Sequence, residues 1–330
     1  MKEYVVGIES TAHTFSASVV SSDGEILSNS KNVYLPPEGS GIHPFEASKS
    51  HLANASSVLQ RALDEAGVDK GKIAAVCYSM GPGLGPCLRV GAVVARTLSS
   101  SLLIPLVPVN HAVGHIELGC MLTNTKDPVV LLVSGGHTMV IAYSTGRWRV
   151  LGETLDLTLG QLLDQFGRRH GLSSPCGRAI EKAASDSSTY LPLPYTVKGN
   201  DVSLSGMLTE AKRLVDRGSR FEDVCFSIQE TAFAMIVEVT ERALAFTGKK
   251  ELMIVGGVAA NRRLSEMMAT MAARHSARYR SVPIEYSGDC GAQIAWTGYL
   301  AYKAGVRIPI AESDVVQSWR LDSVDISWRN

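Results

Sequence analysis

Apolar residues fall along this 330-residue chain in short runs separated by glycine and hydroxyl turns, and two stretches share one plan. Residues 4–8 form an apolar strand pattern, Glu9-Ser-Thr-Ala-His-Thr a small polar turn, residues 15–20 a second strand and Asp23-Gly24 a hairpin turn. About 120 residues later the plan returns: residues 129–133, Ser134-Gly-Gly-His-Thr, residues 139–143 and a turn at Thr145-Gly146. A strand, a small-residue turn and a returning strand open each half, which predicts an internal duplication.

Strands then alternate with helices. Residues 72–80 read as a strand, Gly81-Pro-Gly-Leu-Gly-Pro as a rigid turn and residues 89–102 as a helix. In the second half, residues 252–255 read as a strand, Gly256-Gly257 as a turn and residues 261–275 as a helix. The run 282–286 continues as strand up to Ser-Gly-Asp289, before a helix from about Gly291 to Ala304. This alternation predicts an α/β fold with parallel strands in its sheets. Residues 34–45 and 185–206, rich in Pro, Gly and Ser, read as loops over a cleft.

Length and composition narrow the class. A chain of 330 residues suits two lobes, and 45% hydrophobic with 19% charged residues describes a folded globular protein. The best apolar runs, 102–107 and 129–133, are far short of a membrane span and read as buried strands. The start carries no basic stretch followed by an apolar core, so no signal peptide is expected. Six scattered cysteines without CxxC pairing fit reduced thiols, and the expected location is the cytoplasm. Thirty-two basic and 32 acidic residues cancel, which argues against gripping nucleic acid by bulk charge alone.

Candidate chemistry begins with His111 and His115. Their i, i+4 spacing puts both imidazoles on one helical face, where they can share an ion; core or capping roles are equally common at this spacing. Ala112 stands where the general-base Glu of HExxH would be, so a metalloprotease lacks its base. Asp289, in a Gly-containing turn, is the candidate third ligand, with a helix N-cap as its plainer role. Two His and one carboxylate suit Fe(II) or Zn and leave coordination positions open. The turns at Gly81 to Gly85, Gly135-Gly136 and Gly256-Gly257 would let backbone amides approach a phosphate or ribose. No Walker or GxGxxG fingerprint accompanies them. Asp164 and Glu181 flank a turn holding Pro175 and Gly177 and are candidates for ribose hydroxyls, with a solvated helix face as the default. Glu9 and Asp156 lie in or near similar turns.

These blocks together resemble one family. Gly7-Ile-Glu-Ser-Thr-Ala-His-Thr, Gly81-Pro-Gly-Leu-Gly-Pro-Cys-Leu-Arg-Val-Gly, Asn110-His-Ala-Val-Gly-His-Ile-Glu and Val133-Ser-Gly-Gly-His-Thr look like its signatures. So do Asp201-Val-Ser-Leu-Ser-Gly, Gly256-Gly-Val-Ala-Ala-Asn and Gly288-Asp-Cys-Gly-Ala-Gln-Ile-Ala-Trp-Thr-Gly. The chain resembles, over essentially its whole length, the universal tRNA threonylcarbamoyl transferase family in its archaeal/eukaryotic form, the catalytic subunit of the KEOPS complex.

The resemblance implies two duplicated lobes of the actin/sugar-kinase/heat-shock chaperone type around a central cleft. Lobe I would span 1–127, with the C-terminal helix and tail (about 291–330) packing back on it, and lobe II 128–290. It implies transfer of threonylcarbamoyl from threonylcarbamoyl-AMP to the adenosine just 3′ of the tRNA anticodon, with release of AMP. His111, His115 and Asp289 match the ligands of one divalent metal, Fe(II) first and Zn second. Leu132, Val133, Ser134, Gly135 and Gly136 match the turn that binds the acyl-adenylate, and Asp164, Gly177, Glu181 and Asn261 its ribose and adenine contacts. Glu9 is the candidate for handling a proton or positioning the leaving group. Implied partners are tRNA and KEOPS subunits, among them a small protein kinase, fused to some archaeal members, and a small dimerising subunit; no membrane is implied.

This sequence departs from the family in places. Leu132 stands where the archaeal pattern has a metal-ligating Tyr, Cys176 where it has a glycine and Cys290 where it has Asn. Cys290, beside Asp289, enters as a competing ligand. An ATPase or kinase of the same fold shares the glycine turns but does not need the two histidines. A non-enzymatic scaffold would not need the polar positions expected around an acyl-adenylate. For tRNA, Arg262-Arg263, Lys249-Lys250 and residues 274–280 are local basic candidates.

Overall fold

A computed structural model describes residues 2–329. The first half runs β1 (Tyr4–Glu9), β2 (Thr14–Ser21), β3 (Ile26–Val33), α1 (Pro44–Ala66), β4 (Ile73–Gly81), α2 (Gly85–Leu102), β5 (Leu106–Asn110) and α3 (His111–Thr123). The second opens with β6 (Val129–Val133), β7 (Thr138–Ser144) and β8 (Arg147–Glu153), followed by α4 (Leu159–Arg169) and α5 (Gly177–Ser185). After the short strands β9 (Val197–Lys198) and β10 (Asp201–Val202) come α6 (Ser205–Asp216), α7 (Phe221–Thr247), β11 (Glu251–Val255) and α8 (Arg262–Arg274). Next are β12 (Arg278–Ser281), the single turn α9 (Ile284–Ser287) and α10 (Gly291–Lys303).

The two halves repeat one sheet. The first is ordered β3-β2-β1-β4-β5; the second, β12-β11-β6-β7-β8, is the same order read from its other edge. In each, the opening strands pair antiparallel and the later two add parallel to the first strand. Both sheets are therefore mixed, with antiparallel hairpins beside the parallel strands.

Alternation along the strands decides what covers each face. Val6 and Ile8 join the cluster under α1 and α2, whereas Val5 points to the opposite cluster with Ala292, Ile294 and Ala295 of α10. A Cβ on Gly7 would lie 2.2 Å from the backbone N of Ala295, so α10 lies directly on β1. In the second lobe, Val129, Leu131 and Val133 face the core built with α4 to α8, and Val130 and Leu132 face α3. Helix α3 thus lies between the lobes, apolar on nearly every side. Full burial of Val113, Ile116 and Leu118 contributes about 1.5–3 kcal/mol each, enough to fix a helix that opens on a histidine. Asn110 caps it, its Oδ1 accepting from the Ala112 and Val113 amides at 3.0 and 3.2 Å.

Several expectations are corrected here. The strand expected from residue 102 starts at Leu106, because α2 runs on to Leu102 and ends with Leu103 left-handed. The run 282–286 is not strand: β12 ends at Ser281 and Pro283 caps the helical turn α9. Residues 185–206 are largely irregular, as expected, but only Ser185 and Ser187 line the cavity; the rest holds the short β9 and β10 and buries Leu193, Val202 and Leu204 in the second core. Asp156 holds this stretch, accepting from the Leu204 amide at 2.8 Å and the Ser203 hydroxyl at 2.6 Å. The segment after α10 does not stay on the first lobe. Ile308 and Val315 pack under β4 and α2, but Leu321 and Ile326 join the core beneath β6 and β7. It ends on a buried ion pair, Arg329 to Glu117 of α3 at 2.8 Å, with the Arg329 guanidinium 4.7 Å above the Trp148 ring.

Candidate functional site

Between the lobes opens a cavity of about 1470 Å³, lined from both halves. From α3, His111 lines the cavity and buried His115 lies behind it, ring centroids 4.7 Å apart, edge to face. Asp289, in the turn between α9 and α10, puts Oδ1 3.5 Å from His111 Nε2 and 3.3 Å from His115 Nε2. One ligand atom from each residue lies within 4.8 Å of the others, a group able to hold a metal ion. Asp289 is not the N-cap of α10; Cys290 holds that position.

Behind His111 lies a layer that the sequence did not announce. Glu9, at the end of β1 and fully buried, accepts from the Thr11 amide at 2.6 Å and lies 2.9 Å from His111 Nδ1. Gln293 Nε2 lies 3.1 Å from the same nitrogen. Glu9 itself is not among the residues that line the cavity; its carboxylate backs a histidine that does. With Nδ1–H donated to Glu9, loss of the other ring proton would leave the His111 Nε2 lone pair free for an ion beside Asp289. That carboxylate–imidazole pairing behind a ligand nitrogen fits a metal.

The charges follow from this geometry. Burial alone would push His111 down, but the carboxylates of Glu9 and Asp289 outweigh it and hold the ring up at about 9. Burial pulls His115 below its ordinary range despite its bond to Asp289. The same burial would raise Asp289, but the imidazoles of His111 and His115 hold its carboxyl well below the usual carboxylate range. His137 lines the cavity with its ring centroid 6.1 Å from that of His111; burial and the neighbouring rings lower it to about 3. Cys290 is buried and its thiol is pushed up to about 12, so it stays protonated and outside the ligand group.

The glycine turns divide into two kinds. A Cβ on Gly135, Gly136 or Gly257 would meet nothing within 4 Å, and all three face the cavity. Ser134 shapes the first of these turns, its Oγ accepting from the Gly136 and His137 amides at 3.2 and 3.0 Å. At Gly81, Gly83 and Gly85 the space is filled by the chain itself. Added Cβ atoms would lie 1.8 Å from Val316 O, 2.6 Å from Thr11 O and 2.5 Å from the Gln317 side chain. Gly81 and Gly85 make room for the C-terminal segment, and Gly83, which lines the cavity, for the turn after β1. Gly256 is left-handed, with φ of 96°, against Val133 O.

The other expected contacts are mixed. Asp164, Gly177, Glu181 and Asn261 line the same cavity wall. Asp164 accepts from the Ser174 hydroxyl at 2.7 Å and the Cys176 amide at 2.6 Å, and Glu181 from the Arg262 amide at 2.8 Å. Asn261 caps α8 through the Leu264 amide and donates to Gln229 at 2.6 Å. Leu132 and Val133 lead into the turn with both side chains fully buried, on opposite faces of β6. Of the basic candidates, Arg263 is held by Glu230, Lys249 by Asp127 and Arg278 by Glu251, while Arg262 lines the cavity. All six cysteines are buried and free.

Known proteins place this arrangement. Residues 25–296 match the family model described as TsaD: tRNA N6-adenosine threonylcarbamoyltransferase. The tRNA N6-adenosine threonylcarbamoyltransferase of Caldivirga maquilingensis is 53% identical over 98% of both chains. That of Methanopyrus kandleri is 52% identical over 98% of this chain and 96% of its own. A probable bifunctional tRNA threonylcarbamoyladenosine biosynthesis protein of Methanocorpusculum labreanum is 52% identical, and this chain spans 61% of it. Among solved structures, T. kodakarensis HypF superposes with a TM-score of 0.66 at 13% identity, over 92% of this chain and 48% of that one. The component A of (R)-2-hydroxyglutaryl-CoA dehydratase from Acidaminococcus fermentans gives 0.54 at 12% identity, over 91% and 98%. These two likenesses bear on the fold, which is the two-lobed type expected. From its near-complete match to archaeal relatives, the chain belongs to the tRNA N6-adenosine threonylcarbamoyltransferase family.

Proposed function

We propose that this cleft binds threonylcarbamoyl-AMP and passes its acyl group to N6 of the adenosine 3′ to the tRNA anticodon, with His111, His115 and Asp289 at the reacting end. The observation that carries this is the juxtaposition of that ligand group with the open Gly135-Gly136 turn in one cavity. A divalent ion held there, Fe(II) or else Zn, supplies a Lewis acid for the carbamoyl carbonyl.

The chain's own groups do the rest. Backbone amides of the Ser134, Gly135 and Gly136 turn face the donor phosphate, and Gly177 lets the start of α5 come close to the nucleotide. Asp164 and Glu181 each keep acceptor capacity for a ribose hydroxyl beyond the bonds they already make. Asn261 borders the adenine. The donor is already a mixed anhydride, so N6 attacks the carbamoyl carbon directly, the C–O bond to phosphate breaks, and AMP leaves with that electron pair. The amine proton goes to solvent or to the departing phosphate. ATP is a second nucleotide that this pocket can take. Glu9 holds the Nδ1–H of His111 and is a positioning residue.

For partners, we infer tRNA and KEOPS-type subunits, including a small protein kinase and a small dimerising subunit. The longer bifunctional relatives, of which this chain spans 61% and 60%, support a partner domain in the same biosynthesis. The setting we infer is cytoplasmic; no described helix is long and apolar enough to cross a membrane.

With threonylcarbamoyl-AMP, unmodified tRNA and partner subunits, nucleoside mass spectrometry is expected to find modified adenosine. None, where a known relative succeeds, overturns the assignment.

Metal affinity gives a sharper readout of Glu9. His111, held at about 9, must lose a proton when an ion binds, so affinity is expected to rise about tenfold per pH unit toward pH 9 and level off above it. Competition with a chromophoric chelator measures this. In Glu9→Gln the break should move to lower pH, and affinity above it should fall about 10–100-fold. An unmoved break would mean that Glu9 does not act through His111.

A further inference from the structure

The chain is neutral overall, yet the cavity wall is not. Five acidic residues line it, and each is already engaged. Asp164 accepts from Ser174 and Cys176, Glu181 from the Arg262 amide, Asp289 lies against the two histidines, and Glu230 and Glu266 face Arg263. Arg168, Arg178, Lys182, Arg262 and Lys31 line the same cavity, and none has a carboxylate within ion-pair distance among the described residues. Arg168 is the most committed of them. Half-buried on α4, it has a buried Nε without a hydrogen-bond partner among the described residues. Its guanidinium reaches the other lobe, where a Cβ on Gly41, in the loop after β3, would lie 3.0 Å from Nη1. A guanidinium with unused donors is a strong site for a phosphate.

We propose that Arg168, with Arg178 and Lys182 on the exposed rim of α5, binds the phosphates that flank the acceptor adenosine as its base enters the cleft. This rests on tRNA being the acceptor. The donor brings a single phosphate, whereas a nucleic-acid strand brings one per nucleotide and matches several cations strung along a rim. The exposed positions of Arg178 and Lys182 favour the strand. Arg168, at the seam between α4 and the first-lobe loop, is then the positioning contact. It fixes where the strand lies without reading its sequence.

The test measures unmodified tRNA binding to the full chain with its partner subunits across a salt series, beside AMP binding to the same preparations. Arg168→Gln and the pair Arg178→Gln/Lys182→Gln are each expected to weaken tRNA binding severalfold, and to flatten the log–log salt slope by about 0.7 for each phosphate no longer neutralised. KM for tRNA should rise, with kcat at saturating tRNA and AMP affinity both within twofold. Arg168→Lys, which keeps the charge and guards against a folding defect, should fall between. Lys70→Gln, an exposed cation on the far surface before β4, should change nothing. Unaltered tRNA affinity and slope in both rim variants would overturn the proposal. So would a parallel loss of AMP affinity, which would assign Arg168 to the donor phosphate. Modified adenosine made by the native chain in the same assays keeps the transfer reaction itself separate from either outcome.

Discussion

Asp289→Asn is expected to empty the ligand group and to slow acyl transfer by about 10³-fold. The side chain keeps its size, so the fold should survive, but the anion that faces both His111 Nε2 and His115 Nε2 is gone. A neutral amide lacks the carboxylate's charge and is a weaker ligand for a borderline ion such as Fe(II) or Zn. Losing a Lewis acid at the carbonyl removes several kcal/mol of transition-state stabilisation, and each 1.4 kcal/mol is a factor of ten. His111 should also drop from about 9, because one of the two carboxylates raising it is removed. Elemental analysis, single-turnover transfer and an NMR titration of the ring measure the three effects. Native rates in a metal-free variant would sink the mechanism.

The largest stability effect is expected on the other side of α3, at Glu117, two residues beyond His115. Arg329→Met should destabilise the protein by about 3–5 kcal/mol, read from the urea midpoint, because Glu117 is then left charged inside the core. That carboxylate's side chain is 3% exposed and the guanidinium's 17%, so solvent screens the pair little. Glu117 also accepts from Trp148 Nε1 at 2.9 Å. Glu117→Gln in the same chain keeps an acceptor for Trp148 while removing the charge, and is expected to recover a large part of the loss. A cost under 1 kcal/mol in the single variant would mean that water reaches Glu117.

Much of the frame was legible in the sequence, for physical reasons. The hairpins β1–β2 and β6–β7 carry alternating apolar residues and turn chemistry within one short window, so local rules suffice. His111 and His115 were legible because one helical turn relates them. What escaped depends on distant pairing. Glu9 lies 102 positions from His111 in sequence and meets it because β1, β4 and β5 run side by side. The crowding at Gly81, Gly83 and Gly85 comes from residues 316–317 and Thr11, which no local pattern announces. Helix α7 was unassigned in the sequence because its buried residues spread around much of its surface rather than along one stripe. The run 282–286 misled because Val, Ile and Tyr favour strands, while Pro283 breaks the ladder there.

The repeated sheet has one more consequence. The turn after β1 and the turn after β6 occupy equivalent places, and both end in His-Thr, at His13-Thr14 and His137-Thr138. One copy is an anchor: its Glu9 is locked behind a histidine, and Gly83 packs on its Thr11. The other has become an opening, two glycines with empty space before them. One hairpin cannot be rigid and roomy at once; two in one chain divide those demands, and residues of both turns line the same cleft.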